Sequence, residues 1–343
     1  MDVSCSENST TVRIQARPQT GAWLKPDWRL SLLRAGMRSL GRISTPLAAR
    51  AMDRAWFSAP RTRPRPAAQT CLDRGERFAL DVHGRRVVAW SWGEAGPAVL
   101  LLHGWGGHAG QMHAFVAPLR EAGFRVVAFD APAHGASDRS RLGGRRVTFF
   151  EIAEALRTVA AAAGPLAGLV AHSGGCAAAA LAMREGWEAP AQLAFVSPFA
   201  VPSETIDDFA TAIGASEDVT ARFSAGVERR FGRPWSHFDI PNLPERLKHR
   251  ALLVVHDAED REVPFAHGRA LVDSWPRARL LTTHGLGHRR LLQDPDVVAQ
   301  VAGFFAPARQ AWPGPEASSP GSARHELDLA YETSGLGPRH GPG

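Results

Sequence analysis

Between Thr158 and Met183 the chain runs for 26 residues without a charged side chain. A stretch that long and apolar has two physical solutions: a bilayer span, or elements buried on all sides inside a protein. Its internal features choose the second. Gly164-Pro165 breaks the run near its start, His172-Ser173-Gly174-Gly175 interrupts its middle, and an alanine-rich segment closes it. The pattern reads as a helix end, an apolar strand over Leu166–Ala171, a sharp turn, and a helix from Gly174. No membrane span is expected, and a strand this apolar belongs inside a sheet covered on both faces.

The surrounding sequence repeats that rhythm. Apolar runs at Ala98–Leu102, Arg125–Phe129, Gln192–Val196, Ala251–Val255 and Arg279–Thr283 alternate with helical stretches near 109–122, 149–163, 174–185, 265–275 and 295–305. Ahead of them, Phe78–Val82 and Arg86–Trp92 flank His83-Gly84, the signature of a tight hairpin. Two antiparallel strands followed by alternating strand and helix imply a mostly parallel, helix-covered sheet. Residues 198–248 break the rhythm. They are too long for a loop, carry Phe209, Phe223, Phe231, Trp235 and Phe238, and read as a small helical insertion. Residues 1–20 are polar and the tail over 307–343 is rich in Pro, Gly and Ser; both are expected to be disordered.

With 343 residues, 44% of them hydrophobic, the chain can bury a full core. Three cysteines without paired spacing (Cys5, Cys71, Cys176) fit a reducing compartment and point to neither a disulfide framework nor a zinc site. A net charge of +6 would ordinarily raise nucleic acid as a partner, but the charge is unevenly placed. Residues 1–70 carry twelve Lys/Arg against four Asp/Glu, while the remainder carries a net of −2. The basicity therefore belongs to an N-terminal extension, and no nucleic-acid partner is expected. Within it Trp28–Phe57 is helical in pattern, with Thr45-Pro46 restarting a second helix and Arg61–Pro66 an extended linker. These basic amphipathic helices over 28–57 admit two readings: packing on the domain, or peripheral contact with an anionic membrane. A polar N-terminus without an apolar leader is read as cytoplasmic, or under the second reading as peripheral to the inner face of the membrane.

The pattern small-x-Ser-x-Gly occurs around Ser91, Ser173 and Ser319, so context must decide. Only Ser173 follows an apolar strand and opens a helix. A sharp strand-to-helix turn exposes such a hydroxyl, and the N–H of Gly174 at the helix start can face a developing oxyanion. Three further segments follow strands. His103-Gly104-Trp105-Gly106-Gly107 can aim the N–H of Trp105 at the same point; Asp257, Glu259, Asp260 and Glu262 supply carboxylates; and His288 supplies a base. Serine is a poor nucleophile until a histidine takes its proton, and that histidine needs a carboxylate to hold its tautomer.

At these residues the sequence resembles the α/β-hydrolase superfamily over about 76–306, in particular bacterial serine esterases, thioesterases and lysophospholipases. His103-Gly104-Trp105 resembles the family's oxyanion motif. Asp130-Ala131-Pro132-Ala133-His134-Gly135-Ala136-Ser137 resembles its D-x-P-G-x-G-x-S turn, with Ala133 in place of a glycine. Ala171-His172-Ser173-Gly174-Gly175 resembles the nucleophile elbow. Asp260-Arg261-Glu262-Val263-Pro264 matches D-x-x-V-P, selecting Asp260, and Gly285-Leu286-Gly287-His288 matches the histidine box, selecting His288 over His284. Asp257 stands where the family often has glycine.

The resemblance implies an eight-stranded, mostly parallel α/β-hydrolase sheet with helices on both faces and a small helical lid. It divides the chain into a basic extension (1–70), a hydrolase domain (71–306) with a lid at about 198–248, and a tail (307–343). It implies a Ser173–His288–Asp260 triad, an oxyanion hole from the Trp105 and Gly174 N–H groups, and substrate-pocket candidates His103, Gly104, His172 and Phe199. No cofactor or metal is expected. The partner is a small acyl substrate with an apolar group, and Cys176 is expected to pack in its helix. The reaction implied is cleavage of an ester, thioester or lysophospholipid. The alternative is a non-hydrolytic binder, or a lyase or haloperoxidase-like member of the same fold.

Overall fold

The computed structural model describes residues 28–311. Two helices, α1 (Trp28–Ile43) and α2 (Thr45–Trp56), lead into an extended segment and α3 (Pro66–Asp73). The strands are β1 (Glu76–Asp81), β2 (Arg86–Trp92), β3 (Ala98–Leu102), β4 (Arg125–Phe129), β5 (Leu166–His172), β6 (Gln192–Val196), β7 (Ala251–Asp257) and β8 (Ala278–Thr283). They form one sheet in the order β1-β2-β4-β3-β5-β6-β7-β8. β1 and β2 pair antiparallel, β2 meets β4 antiparallel, and every pairing from β4 to β8 is parallel. The β1–β2 turn places His83 and Gly84 at positive φ, as a two-residue hairpin requires.

The helices after β3 to β8 are α4 (Val116–Glu121), α5 (Phe149–Ala163), α6 (Gly174–Arg184), α7 (Ile206–Ile213), α8 (Glu217–Phe231), α9 (Phe265–Ser274), α10 (Gly287–Arg290), α11 (Pro295–Phe304) and α12 (Ala306–Gln310). Apolar side chains cover both faces of the sheet in two clusters, one under α5, α6 and α9, the other under α4 and α11. That is why β3 and β5 are buried almost throughout instead of alternating. None of the described helices is long and apolar enough to cross a membrane.

Three details depart from the sequence reading. The helix expected near 109–122 is a 3-10 segment, Ala109–Phe115, followed by α4, whose Pro118 lacks the N–H needed for a continuous helix. Helix α3 starts on Pro66 and crosses the boundary drawn at residue 70. The tail drawn from Pro307 begins inside α12; residues 1–20 and the rest of that tail lie outside the described residues.

The extension packs on the domain, one of the two arrangements its helices admitted: α1 and α2 lie against α7 and α8 of the 198–248 insertion and form a third apolar cluster. Met52 and Ala48 of α2 are fully buried there, with Met37 of α1 close behind. Burying a methionine contributes about 2 kcal/mol. Trp56 stands edge-on to Phe209 at 5.0 Å and to Trp235 at 5.5 Å. Asp53 ties three segments together, accepting from Arg230 of α8 and, at 3.4 Å, from Arg146 of the β4–α5 connection. Backbone bonds complete the join: Val147 N–H donates to the Phe57 carbonyl and Ala59 N–H to the Arg145 carbonyl, both at 2.9 Å.

Candidate active site

Ser173 sits between β5 and α6 with φ 52 and ψ −121. A non-glycine residue in that region stores about 1–3 kcal/mol of strain, which the surroundings must hold. They do so through the Ser173 N–H, which donates to the Val196 carbonyl at 3.0 Å, and through its carbonyl, which accepts from Cys176 and Phe199. Small residues permit the turn. A Cβ on Gly175 would lie 2.6 Å from the His103 carbonyl oxygen, and one on Gly104 would lie 2.9 Å from the Ser173 Cβ. The β3 turn and the β5 turn thus press together where only glycine fits. A Cβ on Gly174 would lie 3.5 Å from the Trp105 amide nitrogen, so the β3 turn and the start of α6 lie against each other. As the first residue of α6, Gly174 has no carbonyl one turn back to receive its N–H.

His288, in α10, is 8% exposed, and its Nδ1 lies 2.8 Å from Asp260 Oδ2. The ring stands 4.8 Å, centroid to centroid, from that of His172, the neighbour of Ser173. His172 Nε2–H donates to the His288 main-chain carbonyl at 3.1 Å, fixing the β5 turn and α10 relative to each other. Asp260 Oδ1 accepts from the N–H groups of Glu262 and Val263, at 2.8 and 3.0 Å. His256 Nε2–H donates to the Val263 carbonyl at 3.2 Å and lies 3.4 Å from Asp260 Oδ2, bringing a second imidazole to the same carboxylate. Burial opposes the charge of Asp260, but the hydrogen bonds from His256 and His288 prevail and hold its carboxyl well below the usual range. Of the four carboxylates in this loop, Asp260 is the one bonded to His288. Asp257 does something else: its Oδ2 accepts from Thr283 Oγ1 at 2.8 Å and from Leu286 N–H at 3.0 Å. It anchors the segment that carries His288, a task the family's glycine could not perform.

The His103–Gly107 turn is fastened from two sides. His103 Nε2 accepts from Ala131 N–H at 3.0 Å and His134 Nε2 accepts from Gly106 N–H at 2.9 Å. Asp130 closes the β4 turn by accepting from Ala109 and Ala136 N–H groups. From the extension, Thr62 Oγ1–H donates to the Gly106 carbonyl at 2.7 Å, with Pro60 packed against Gly106. Ala133, in the family's glycine position, keeps the left-handed conformation at φ 64.

Next to Ser173 opens an apolar cavity of about 330 Å³. Trp105, Phe149 and Phe199 line it near the serine; Phe209, Ala212, Val227, Phe231, Trp235 and Phe238 of the insertion form its far wall; Ala55, Trp56 and Phe57 of α2 close a side. Phe149 and Phe150 are aimed by the capping box of α5, in which Thr148 and Glu151 bond each other's backbone. Among the sequence-stated pocket candidates, Phe199 lines this cavity. His103 and His172 do not: they are 2% and 3% exposed, with their rings spent on the backbone bonds described above. Gly104 likewise faces His172 and Ser173 Cβ and not the cavity. Cys176 is fully buried with its thiol against the Ala171 carbonyl, and burial pushes the thiol far up, leaving it unreactive.

Among the residues missed by the sequence reading are Ala55, Trp56, Phe57, Phe149 and Phe150 of the cavity, and His256 beside Asp260. The aromatics of α2 looked like the packing face of a separate extension, and nothing in the sequence spacing joins them to Ser173.

A parallel sheet with a serine on a strained strand-to-helix turn, and a bonded His–Asp pair on the loops after its last two strands, defines a protein of the α/β-hydrolase class. Residues 97–293 match the alpha/beta hydrolase fold family, more than half of the chain, and the chain belongs to that family. Among solved structures it is similar to a membrane phospholipase A described as a bacterial virulence factor (18% identity, TM-score 0.54, covering 83% of this chain and 98% of that one). It is also similar to a Butyrivibrio proteoclasticus protein with ferulic acid bound (19%, TM-score 0.53, 68% and 100%). A thermophilic esterase from Thermogutta terrifontis is a third (19%, TM-score 0.51, 68% and 99%). At these identities the likeness is one of fold. No curated protein matches the chain significantly.

Proposed function

We propose that this chain is a serine hydrolase that cleaves a carboxylic ester or related acyl bond, with Ser173 as nucleophile, His288 as base and Asp260 as its orienting acid. The observation that carries the reading is the Ser173 turn standing at an apolar cavity together with the 2.8 Å bond between His288 and Asp260. In this reading His288 Nε2 takes the Ser173 Oγ proton as the oxygen attacks the acyl carbon. The N–H groups of Trp105 and Gly174 hold the oxyanion. His288 then passes its proton to the leaving alcohol or thiol, and the same base activates water to release the acid and restore Ser173. Asp260 keeps the Nδ1 proton in place throughout and stabilises the imidazolium. A fluorophosphonate probe tests the reading: one adduct at Ser173 on the folded protein is expected, with p-nitrophenyl ester turnover lost in Ser173→Ala. A wild-type protein that neither reacts nor turns over ester, under conditions where it is folded, overturns it.

The cavity argues for an apolar acyl group. At roughly 30 Å³ per water-sized group, about 330 Å³ accommodates about ten such groups, in the range of a medium-length acyl chain. Ala55 of α2 faces this space, so Ala55→Phe is expected to shorten it. The expected result is a roughly tenfold or larger loss of kcat/KM on an ester of about ten acyl carbons, with the acetyl ester within about twofold. Hydrophobic contact with a few methylenes carries that much, at about 0.8 kcal/mol each. Equal losses on both esters would remove α2 from the acyl site.

A further inference from the structure

The large apolar side chains exposed among the described residues are Trp28, Leu32, Leu33, Ile43 and Leu47, and all five belong to α1 and α2. Scattered exposed leucines need no explanation, but a set confined to one hairpin of helices does. Along α1, Leu32 and Ile43 fall on one face, opposite the buried Leu30 and Met37. Leu32 is 63% exposed and Ile43 80%. The helix therefore has two apolar faces. One packs on the insertion, and the other presents Leu32 and Ile43 as exposed side chains.

The charge beside that face has one sign. Arg38, Arg42, Arg50 and Arg54 are exposed on α1 and α2. The one acid in the two helices, Asp53, is engaged by Arg146 and Arg230. An apolar strip rimmed by arginines and lacking carboxylates suits a surface that is apolar inside and anionic outside. Another protein would need an acidic rim around a matching apolar groove, whereas a bilayer of anionic phospholipid supplies both without shape matching.

We propose that the outer face of α1 and the start of α2 form a peripheral docking surface for anionic phospholipid bilayers, with Leu32, Ile43 and Leu47 entering the interface and Arg38, Arg42 and Arg50 meeting the headgroups. The same α2 lines the cavity through its other face, so docking brings the wall of the cavity to the lipid surface. The claim does not depend on the hydrolase reading, since its readout is binding.

The test is sedimentation of the full-length protein with phosphatidylcholine vesicles, with and without phosphatidylglycerol, at low and high salt. Binding to the anionic vesicles is expected, weakening with salt as charges beyond about 10 Å are screened. Each arginine near the surface is worth about fivefold in partitioning, so Arg38→Glu/Arg42→Glu should lower it by at least twentyfold. Leu32→Ser/Ile43→Ser, at exposed positions, should lower it at least tenfold while the thermal melting temperature is kept. Absence of sedimentation, equal binding to neutral vesicles, or binding unchanged in both variants overturns the proposal. So does a concentration-dependent dimer, abolished by Leu32→Ser/Ile43→Ser, that forms in place of vesicle binding, because the face would then belong to a second copy.

Discussion

Asp260→Asn is expected to lower kcat on a p-nitrophenyl ester by about four orders of magnitude, while Asp257→Asn leaves kcat within about tenfold. The reason lies in the bonds each carboxylate makes. Asp260 Oδ1 accepts two main-chain N–H groups, from Glu262 and Val263. An asparagine there keeps its carbonyl oxygen on those donors and turns its NH2 toward His288. Facing a donor, His288 Nδ1 must accept, and its proton moves to Nε2, the atom that should take the Ser173 proton. The backbone survives and the base has the wrong tautomer. Asp257 holds Thr283 and Leu286 instead, so its replacement costs stability, about 1–3 kcal/mol for a buried bond set left incomplete. Steady-state kinetics and denaturant melts of the two variants separate these effects. Full activity in Asp260→Asn, with loss in Asp257→Asn at unchanged stability, would transfer the role of the acid to Asp257.

The order of strands and helices was legible because each strand here is short, apolar and bounded by turn residues. The limits read for β2, β3, β4 and β6 coincide with those observed. Grouping a serine, a carboxylate and a histidine rested on a different signal, their positions after β5, β7 and β8 of a sheet whose parallel strands end on one side. The choice of Asp260 and His288 within their loops rested on the family motifs. Side-chain direction carries no such signature. His103 and His172 stand next to the right residues, yet their rings point into the protein and serve the backbone. The insertion was legible as a lid, but the side of the cavity closed by α2 was not, for a further reason. Trp56 reaches Phe209 and Trp235 across more than 150 residues of chain, and an amphipathic helix does not disclose which surface its apolar face will meet. The uneven charge was visible at once. What it could not convey is that the basic helices have two apolar faces, one inside the fold and one outside.

Acid is expected to unfold this protein steeply between about pH 6 and 4.5, because its buried histidines work as hydrogen-bond acceptors. Burial pushes His103 and His267 down to about 4 and His134 down to about 3, and lowers His172 far below its ordinary value. In each of the first three a ring nitrogen accepts a main-chain N–H: Ala131 on His103, Gly106 on His134, Ala200 on His267. A proton on that nitrogen would set donor against donor in a space without water. The unfolded chain, with histidines near 6.5, binds these protons first. The stability they contribute is therefore fully present above about pH 6.5 and is lost as the pH falls toward 4. Around pH 5 each of the three contributes about one extra proton to the unfolded state, at about 1.4 kcal/mol per pH unit, or about 4 kcal/mol per unit together. Asp130 and Asp239 act in the opposite direction, since burial raises both carboxyls and the fold takes up those protons early, but they are two groups against several. With domain stabilities of roughly 5–15 kcal/mol, a drop of this size consumes most of the margin within two pH units. Urea midpoints measured from pH 7 to 4.5 should show it. His103→Gln, whose amide oxygen can accept from Ala131 without titrating, should reduce the slope by about one proton. Midpoints that stay level to pH 4.5 would mean that the rings are protonated in the fold, and that the His103–Gly107 turn is held by something other than these two imidazoles.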